Sequence, residues 1–184
     1  MNHHDMTRNM VLAALFAALT AIGAFLQIPT GTVPITLQFL FTALAGLLLG
    51  WKWGAISQLL YVGIGLLGLP VFTQGGGIGY ELQPSFGFLL GLIPAAAVIG
   101  ALTARRTGYL TVLAAVLVGD LILYAVGVPY MYLILHVYMQ SAKTFSALLA
   151  AMLVYVPGDT LKIIVVTALA PVLRRTLAKA VPNL

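Results

Sequence analysis

The sequence predicts an all-α integral membrane protein, with six transmembrane helices in one compact bundle that forms a single domain over residues 1–184. The first reason is composition: 61% of the residues are hydrophobic and only 7% are charged. With a mean hydropathy of +1.07, so much apolar surface cannot be buried inside one soluble core. The second reason is that the apolar residues fall in runs of membrane-crossing length, separated by glycine, proline and basic residues.

Composition also excludes several kinds of site. Cysteine is absent, which rules out disulfides and thiolate sites. The His3-His4 pair has no third ligand near it, so we predict neither a metal nor a cofactor. The formal charge of +5 comes from basic residues at the ends of apolar runs, which indicates membrane topology rather than a nucleic-acid partner.

The first three predicted spans lie in the amino-terminal part of the chain. The first runs over Arg8–Gln27, and the turn Ile28–Pro34 follows it, with two prolines and a glycine. Two short spans come next, Ile35–Gly50 and Gly54–Leu67, with Trp51-Lys52-Trp53 between them as an interfacial segment.

The remaining segments follow from the same signals. We predict spans at Ser85–Ala104, Tyr109–Val126 and Pro157–Leu177, a break at Gly127 and Pro129, an interfacial helix or short span end at Tyr130–Gln140, and a short apolar stretch at Lys143–Tyr155.

Basic residues predict the orientation. With six spans, one side holds Arg8, Lys52, Arg105, Arg106, Arg174, Arg175 and Lys179. The opposite side holds only Lys143, so the positive-inside rule places both termini in the cytoplasm of a cell-membrane protein.

Asp159 and Lys162 are the leading candidates for function. They lie three residues apart, on one face of the last helix, just after Pro157 in its first turn. Ionisable residues at membrane depth are costly and usually mark a functional site. The alternative is a structural ion pair at the interface, with Lys162 reaching towards water.

A second group of candidates comes from the loop Gly68–Pro84 and its flanks. Glycines allow close backbone approach to a ligand, and no Gly-Lys-Ser/Thr follows that would indicate a phosphate loop. A flexible connector is the alternative, although aromatic residues such as Phe72 favour a pocket. The predicted substrate-binding residues here are Gly75, Gly76, Gly77, Gly79, Tyr80, Gln58, Tyr61, Gln83 and Ser85.

These residue types suit a small polar molecule with an apolar body, and they lack the clusters needed for catalysis. Asp120, near the middle of the fifth span, is either a proton relay or a carboxyl that is protonated or hydrogen-bonded within the bundle.

Alanines at four-residue spacing keep one face of the first span small, which lets another helix pack closely. They form two registers, Ala13, Ala17 and Ala21 in one and Ala14 and Ala18 in the other, and the sequence does not decide between them.

Several segments, in order, carry a family resemblance: Gln27-Ile28-Pro29, Val33–Gln38, Ala45–Gly50, Gly68–Phe72, the Gly75–Gly79 loop and Pro157–Lys162. Together they resemble the BioY family, the biotin-specific substrate-binding (S) components of energy-coupling-factor (ECF) transporters. The chain departs from many members at Gln83–Phe88, where they have Gly-Pro-Thr-Gly-Gly-Tyr.

The resemblance implies a six-helix protein that captures biotin and assembles with a transmembrane coupling subunit and two ATP-binding subunits. It implies that Asp159 and Lys162 bind the ureido ring, that the loop from Gly75 to Tyr80 closes over the ligand, and that the alanine stripe packs on the coupling subunit. The chain has no nucleotide motif of its own, so ATP-driven transport requires partners. The alternative is a stand-alone, proton-coupled secondary transporter that uses Asp120 or Asp159.

Overall fold

The structure is a computed structural model that describes residues 3–30, 33–106 and 108–180. In this part of the chain the helices are α1 (His3–Phe25), α2 (Gln38–Leu66), α3 (Phe86–Leu102), α4 (Tyr109–Leu133), α5 (Phe145–Ala151) and α6 (Val156–Ala180). Two short antiparallel strands, β1 (Gln27–Ile28) and β2 (Ile35–Thr36), close the turn between α1 and α2. The all-α prediction is confirmed, and α6 begins within one residue of its predicted start.

Helix α2 is folded in two at Gly50. The side-chain amide of Gln38 donates to the Tyr61 hydroxyl at 2.8 Å, whereas a straight helix would separate residues so far apart in sequence by about 35 Å. Gly50 has φ 77° and ψ 178°, a conformation that is essentially restricted to glycine. The arms 38–49 and 51–66 therefore correspond to the two short spans predicted from the sequence.

Four helices in the described part of the chain are long and apolar enough to cross a membrane: α1, α2, α4 with its continuation, and α6. Helix α3 is apolar but has 17 residues. When α3 is included and the two arms of α2 are counted separately, the described residues form six apolar helical segments, besides the short apolar helix Phe145–Val154.

The predicted break at Gly127 and Pro129 is wrong, because α4 continues through both residues and then forms a π-helical turn at Ile134–Tyr138. Gly127 serves packing between helices instead. A Cβ at this position would lie 2.4 Å from the ring of Phe88 in α3. The stretch predicted at Lys143–Tyr155 contains α5 and a short 3-10 turn at Met152–Val154.

The turn at Gly50 is held by two contacts at the same end of the bundle. Gly100 of α3 packs against it so closely that a Cβ would meet the Trp51 backbone nitrogen at 2.3 Å. The Arg174 guanidinium of α6 donates to the Leu47 carbonyl at 2.6 and 3.1 Å, which satisfies an acceptor that the interrupted helix leaves open. Arg174 therefore lies at the same end as Lys52, which follows Gly50 by two residues, while the side chain of Lys179 lies outside the described residues.

Gly65→Ala tests how the loop after α2 is held. A Cβ at Gly65 would lie 2.0 Å from the Phe72 ring, so we expect the ring to be expelled and the protein destabilised by about 2–3 kcal/mol. Gly63→Ala is the matched control, because nothing lies within 4 Å of a Cβ there. Thermal unfolding in detergent should show a lower midpoint for Gly65→Ala than for the parent, whereas Gly63→Ala should show no decrease. Equal midpoints would contradict the packing described.

Candidate functional site

A cavity with about 620 Å³ of empty space, including its open mouth, lies between the β-hairpin, the start of α2, α3, α4 and the start of α6. Its walls are mostly apolar, with polar groups at separate points. The lining residues are Val33, Pro34, Ile35, Thr36, Gln38, Phe39, Thr73, Tyr80, Ser85, Phe88, Leu89, Leu92, Leu123, Tyr124, Met152, Tyr155, Asp159 and Lys162.

The ion pair of Asp159 and Lys162 lies in the wall of this cavity. The ammonium is 2.5 Å from one carboxylate oxygen, and both residues are buried, with exposed fractions of 6% and 8%. The second carboxylate oxygen accepts a hydrogen bond from the Tyr124 hydroxyl of α4. Lys162 also donates to the Thr36 carbonyl of β2 at 3.2 Å. The pair is therefore a fixed, buried group, and the Lys162 side chain does not reach towards water as the structural alternative supposed.

The ion pair of Asp159 and Lys162 keeps hydrogen-bonding positions that described groups do not use. An ammonium has three N–H donors, and two of those of Lys162 are directed at Asp159 and Thr36. A carboxylate has about four lone-pair positions, and described groups use two of those of Asp159. One donor and two acceptor positions remain. They match a planar group with one carbonyl and adjacent N–H donors.

Tyr155 fixes the turn that covers one side of the cavity. Its hydroxyl donates to the Val33 carbonyl and lies 2.9 Å from the Thr30 hydroxyl. The backbone N–H of Asp159 donates to the Tyr155 carbonyl at 2.9 Å, which places this tyrosine one helical turn before the carboxylate. The turn and the ion pair are thus positioned by the same segment.

A second group of polar side chains lines another part of the cavity. The hydroxyls of Thr73 and Tyr80 lie 2.9 Å apart, and Ser85 precedes the first turn of α3. Gln38 is held by Tyr61, which itself donates to the Val71 carbonyl at 3.1 Å. The cavity therefore offers polar contacts at two places, joined by apolar walls.

The sequence model of the BioY family matches residues 1–179. The chain belongs to the BioY family. It is 51% identical over 142 residues to a probable biotin transporter BioY of Lysinibacillus sphaericus, covering 76% of this chain and 72% of that protein. It is 39% identical over 188 residues to the biotin transporter BioY of Rhodobacter capsulatus, covering 97% of each.

A solved structure is similar to this chain over nearly its whole length. The crystal structure at 2.1 Å of the S-component for biotin from an ECF-type ABC transporter matches with a TM-score of 0.83 and 30% identity. The match covers 95% of both chains, so the whole bundle is shared rather than one helical pair.

Four of the substrate-binding residues predicted for this BioY chain line the cavity: Asp159, Lys162, Tyr80 and Ser85. Tyr61 lies one layer behind, where it supports Gln38. Gln58 does not line the cavity. It is fully buried, and its side chain is hydrogen-bonded to Thr42 at 2.9 Å and to Ser57 at 3.0 Å. Its amide joins α1 to both arms of α2, which is a structural role. Gln83 does not line the cavity either.

The glycines of the loop, Gly75, Gly76, Gly77 and Gly79, do not line the cavity. Gly75 and Gly77 have positive φ values of 113° and 99°, and their N–H groups donate to Phe72 and Gly65. A Cβ at Gly76 would lie 2.1 Å from the Leu69 carbonyl oxygen. Gly75, Gly76 and Gly77 are therefore needed to fold this loop tightly, and its Phe72 ring, 1% exposed, is buried in the core.

The structure separates the two alanine registers of α1. Ala13 and Ala17 are buried within the bundle, so they are not available to another protein. Ala14 and Ala18 are exposed, and Ala21 is partly exposed. Only the register of Ala14 and Ala18 can therefore serve as a small outward face.

Sequence reasoning missed Tyr124, Tyr155 and Thr36, which position the ion pair or the wall beside it. Thr36 acts through its backbone carbonyl, for which no residue pattern gives a signal. Tyr124 lies one helical turn after Asp120, so the two polar side chains share one face of an apolar span. This pairing was the sequence signal that could have identified Tyr124. Which neighbour it faces depends on the rotation of α4, which the sequence does not show.

Proposed function

We propose that the chain is the biotin-binding S subunit of an ECF-type, ATP-driven importer in the cell membrane. The observation that carries this proposal is the buried Asp159–Lys162 pair in a mostly apolar cavity, in a chain whose relatives are named biotin transporters. The described residues show no catalytic arrangement that competes with it, and the family relationship supports transport rather than an enzyme.

The ureido ring of biotin fits the remaining donor and acceptors of the pair. Its carbonyl accepts from the free N–H of Lys162, and its N–H groups donate to Asp159. Hydrogen bonds to charged partners in a desolvated site are strong and directional. The thiophane ring and the valeryl chain then lie against apolar walls that include Phe88, Leu92 and Met152.

Biotin's carboxylate is expected at the second polar region, near Thr73, Tyr80 and the α3 start at Ser85. Backbone N–H groups at a helix start are natural anion partners. Ser85 lines the cavity whereas the loop glycines Gly75, Gly76, Gly77 and Gly79 do not, so the α3 start is favoured over the loop as the place of the carboxylate. Biotin amide should bind only about tenfold more weakly than biotin in a titration. A loss of about a thousandfold would indicate a full cationic partner, with Lys143 the first candidate.

The proposed partners are a transmembrane coupling subunit and two ATP-binding subunits. The exposed small face at Ala14 and Ala18 supports a close helix contact with the coupling subunit. The basic residues at the Gly50 end of the bundle support a cytoplasmic position for that end and for both termini. The lipid bilayer covers the remaining apolar helix faces.

Uptake into membrane vesicles tests the proposal against the alternative, a proton-coupled transporter that works alone. Vesicles should be prepared with the chain alone and with the coupling and ATP-binding subunits, each with and without a proton gradient. We expect biotin uptake only with all subunits and ATP. Gradient-driven uptake by the chain alone would instead support the secondary transporter.

A further inference from the structure

Gln38 lines the cavity, but the proposed binding mode does not use it. It is the first residue of α2 and is 7% exposed. The start of α2 is held against α1, because the Leu37 N–H donates to the Gly23 carbonyl at 3.0 Å. A Cβ at Gly23 would lie 3.0 Å from the Gln38 backbone nitrogen, so the two segments are in close contact. The Gln38 side chain therefore joins the cavity wall from a fixed backbone position.

Two hydroxyl groups fix the orientation of the Gln38 amide. The Tyr61 hydroxyl donates to the Val71 carbonyl at 3.1 Å, so its oxygen is left as an acceptor. Only the Nε2 end of the amide can donate to that oxygen, and the two atoms lie 2.8 Å apart. The Oε1 end accepts from the Thr36 hydroxyl at 2.8 Å. A side-chain amide has two N–H donors, and among the described residues no group accepts the second one.

Thr36 connects this amide to the ion pair. Its backbone carbonyl accepts from the Lys162 ammonium at 3.2 Å, while its side-chain hydroxyl donates to Gln38. The unused N–H of Lys162 and the unused N–H of Gln38 thus belong to groups that contact the same residue, and both groups line the cavity. A carbonyl oxygen has two lone pairs, so one ligand carbonyl can accept from both donors.

We propose that Gln38 is a further ligand-binding residue, whose second N–H donates to the ligand's urea carbonyl together with Lys162. This inference rests on the proposed function. Tyr61 acts through Gln38 and is a positioning residue, because its hydroxyl holds the amide with a donor available to the ligand. A ligand with a donor in place of the carbonyl would leave this buried N–H without a partner, which is costly. The fixed amide therefore favours a cyclic urea over analogues that lack the carbonyl oxygen.

Calorimetric titration of the purified full chain with biotin tests this arrangement. Gln38→Met keeps the length of the side chain and removes its polar end, so we expect about tenfold weaker binding. Tyr61→Phe keeps the ring that packs against Phe72, with centroids 5.5 Å apart, and removes only the hydroxyl. It should weaken binding less. Because Tyr61 acts through Gln38, the double variant should bind about as well as Gln38→Met alone. Fully additive losses would overturn the positioning role.

A competing ligand tests the preference for a urea. Iminobiotin carries donors in place of the carbonyl oxygen, and Lys162 disfavours it in the parent and in Gln38→Met alike. The amide adds its own discrimination only in the parent, so the ratio of the affinities for biotin and iminobiotin should fall in Gln38→Met. An unchanged ratio would contradict a contact between Gln38 and the carbonyl.

Infrared difference spectroscopy separates a ligand contact from structural support. The ligand is biotin isotopically labelled at its urea carbonyl carbon, at concentrations that saturate each protein. A carbonyl that loses a hydrogen-bond donor stretches at higher frequency, so the labelled band should shift upward in Gln38→Met. Ser57→Ala is the matched control, because Ser57 is buried in α2 and bonded to Gln58 but does not line the cavity, and it should leave the band in place.

An unshifted band in Gln38→Met, or binding of biotin by that variant as tightly as by the parent, would overturn the proposal and leave the proposed function standing. A parent that does not bind biotin would overturn both.

Discussion

Asp159→Asn should weaken biotin binding tenfold to a hundredfold. The amide keeps the shape of the carboxylate but removes the charge that accepts hydrogen bonds, and loss of such a bond in a desolvated site costs about 1.5–3 kcal/mol. Lys162→Met should have a similar effect, because it removes the donor to the ureido carbonyl. Titration calorimetry of the purified variants measures both changes.

The structure adds an expectation for stability that the sequence did not indicate. Each single variant leaves the other member buried and unpaired, at 6% or 8% exposure, and breaking a buried pair costs about 3–5 kcal/mol. The double variant leaves no lone charge, so its unfolding midpoint should lie above that of either single variant, while biotin binding stays at least as weak as in the single variants. Additive destabilisation would show that the two groups do not depend on each other.

Ala14→Trp should abolish ATP-dependent biotin uptake by the assembled transporter and leave biotin binding to the isolated chain nearly unchanged. Ala14 is exposed on α1, away from the cavity, and helices in lipid associate through close van der Waals contact that one large side chain prevents. Uptake in vesicles and titration of the isolated protein are the paired measurements.

Two further variants of α1 serve as controls. Leu15→Trp changes an already large, 51% exposed residue, so it should have a much smaller effect on uptake. Ala17→Trp places a large side chain at a 4% exposed core position, and it should lower stability and binding together. If Ala14→Trp and Leu15→Trp reduced uptake equally, the small face would not be the contact with the coupling subunit.

Some of this molecule could be predicted because the relevant patterns are local. Apolar runs define the spans, and Pro157 followed by Asp159 and Lys162 defines both the start of α6 and the face on which the pair lies. Gly127 was misinterpreted because a glycine in a sequence looks the same whether it makes a turn or admits a neighbour. Only the Phe88 ring packed against it shows which role it has.

The rest of the site depends on contacts between segments far apart in the chain. Tyr124 reaches Asp159 from another helix, and the Thr36 carbonyl reaches Lys162 from a strand 126 residues away. Contact between the glycine loop and ligand stays a prediction, and in this structure Gly76 packs against the Leu69 carbonyl rather than lining the cavity. Helix rotation and loop folding decide such contacts, and neither follows from the spacing of residue types.

The most direct test is calorimetric titration of the purified chain with biotin, desthiobiotin and thiamine, alongside Asp159→Asn and Lys162→Met. The account predicts saturable binding of biotin and desthiobiotin, which share the ureido ring, no binding of thiamine, and a loss of at least tenfold in both variants. Two results would contradict the assignment of this cavity and its ion pair as the biotin site. One is a parent that does not bind biotin, and the other is biotin binding that is as tight in both variants as in the parent.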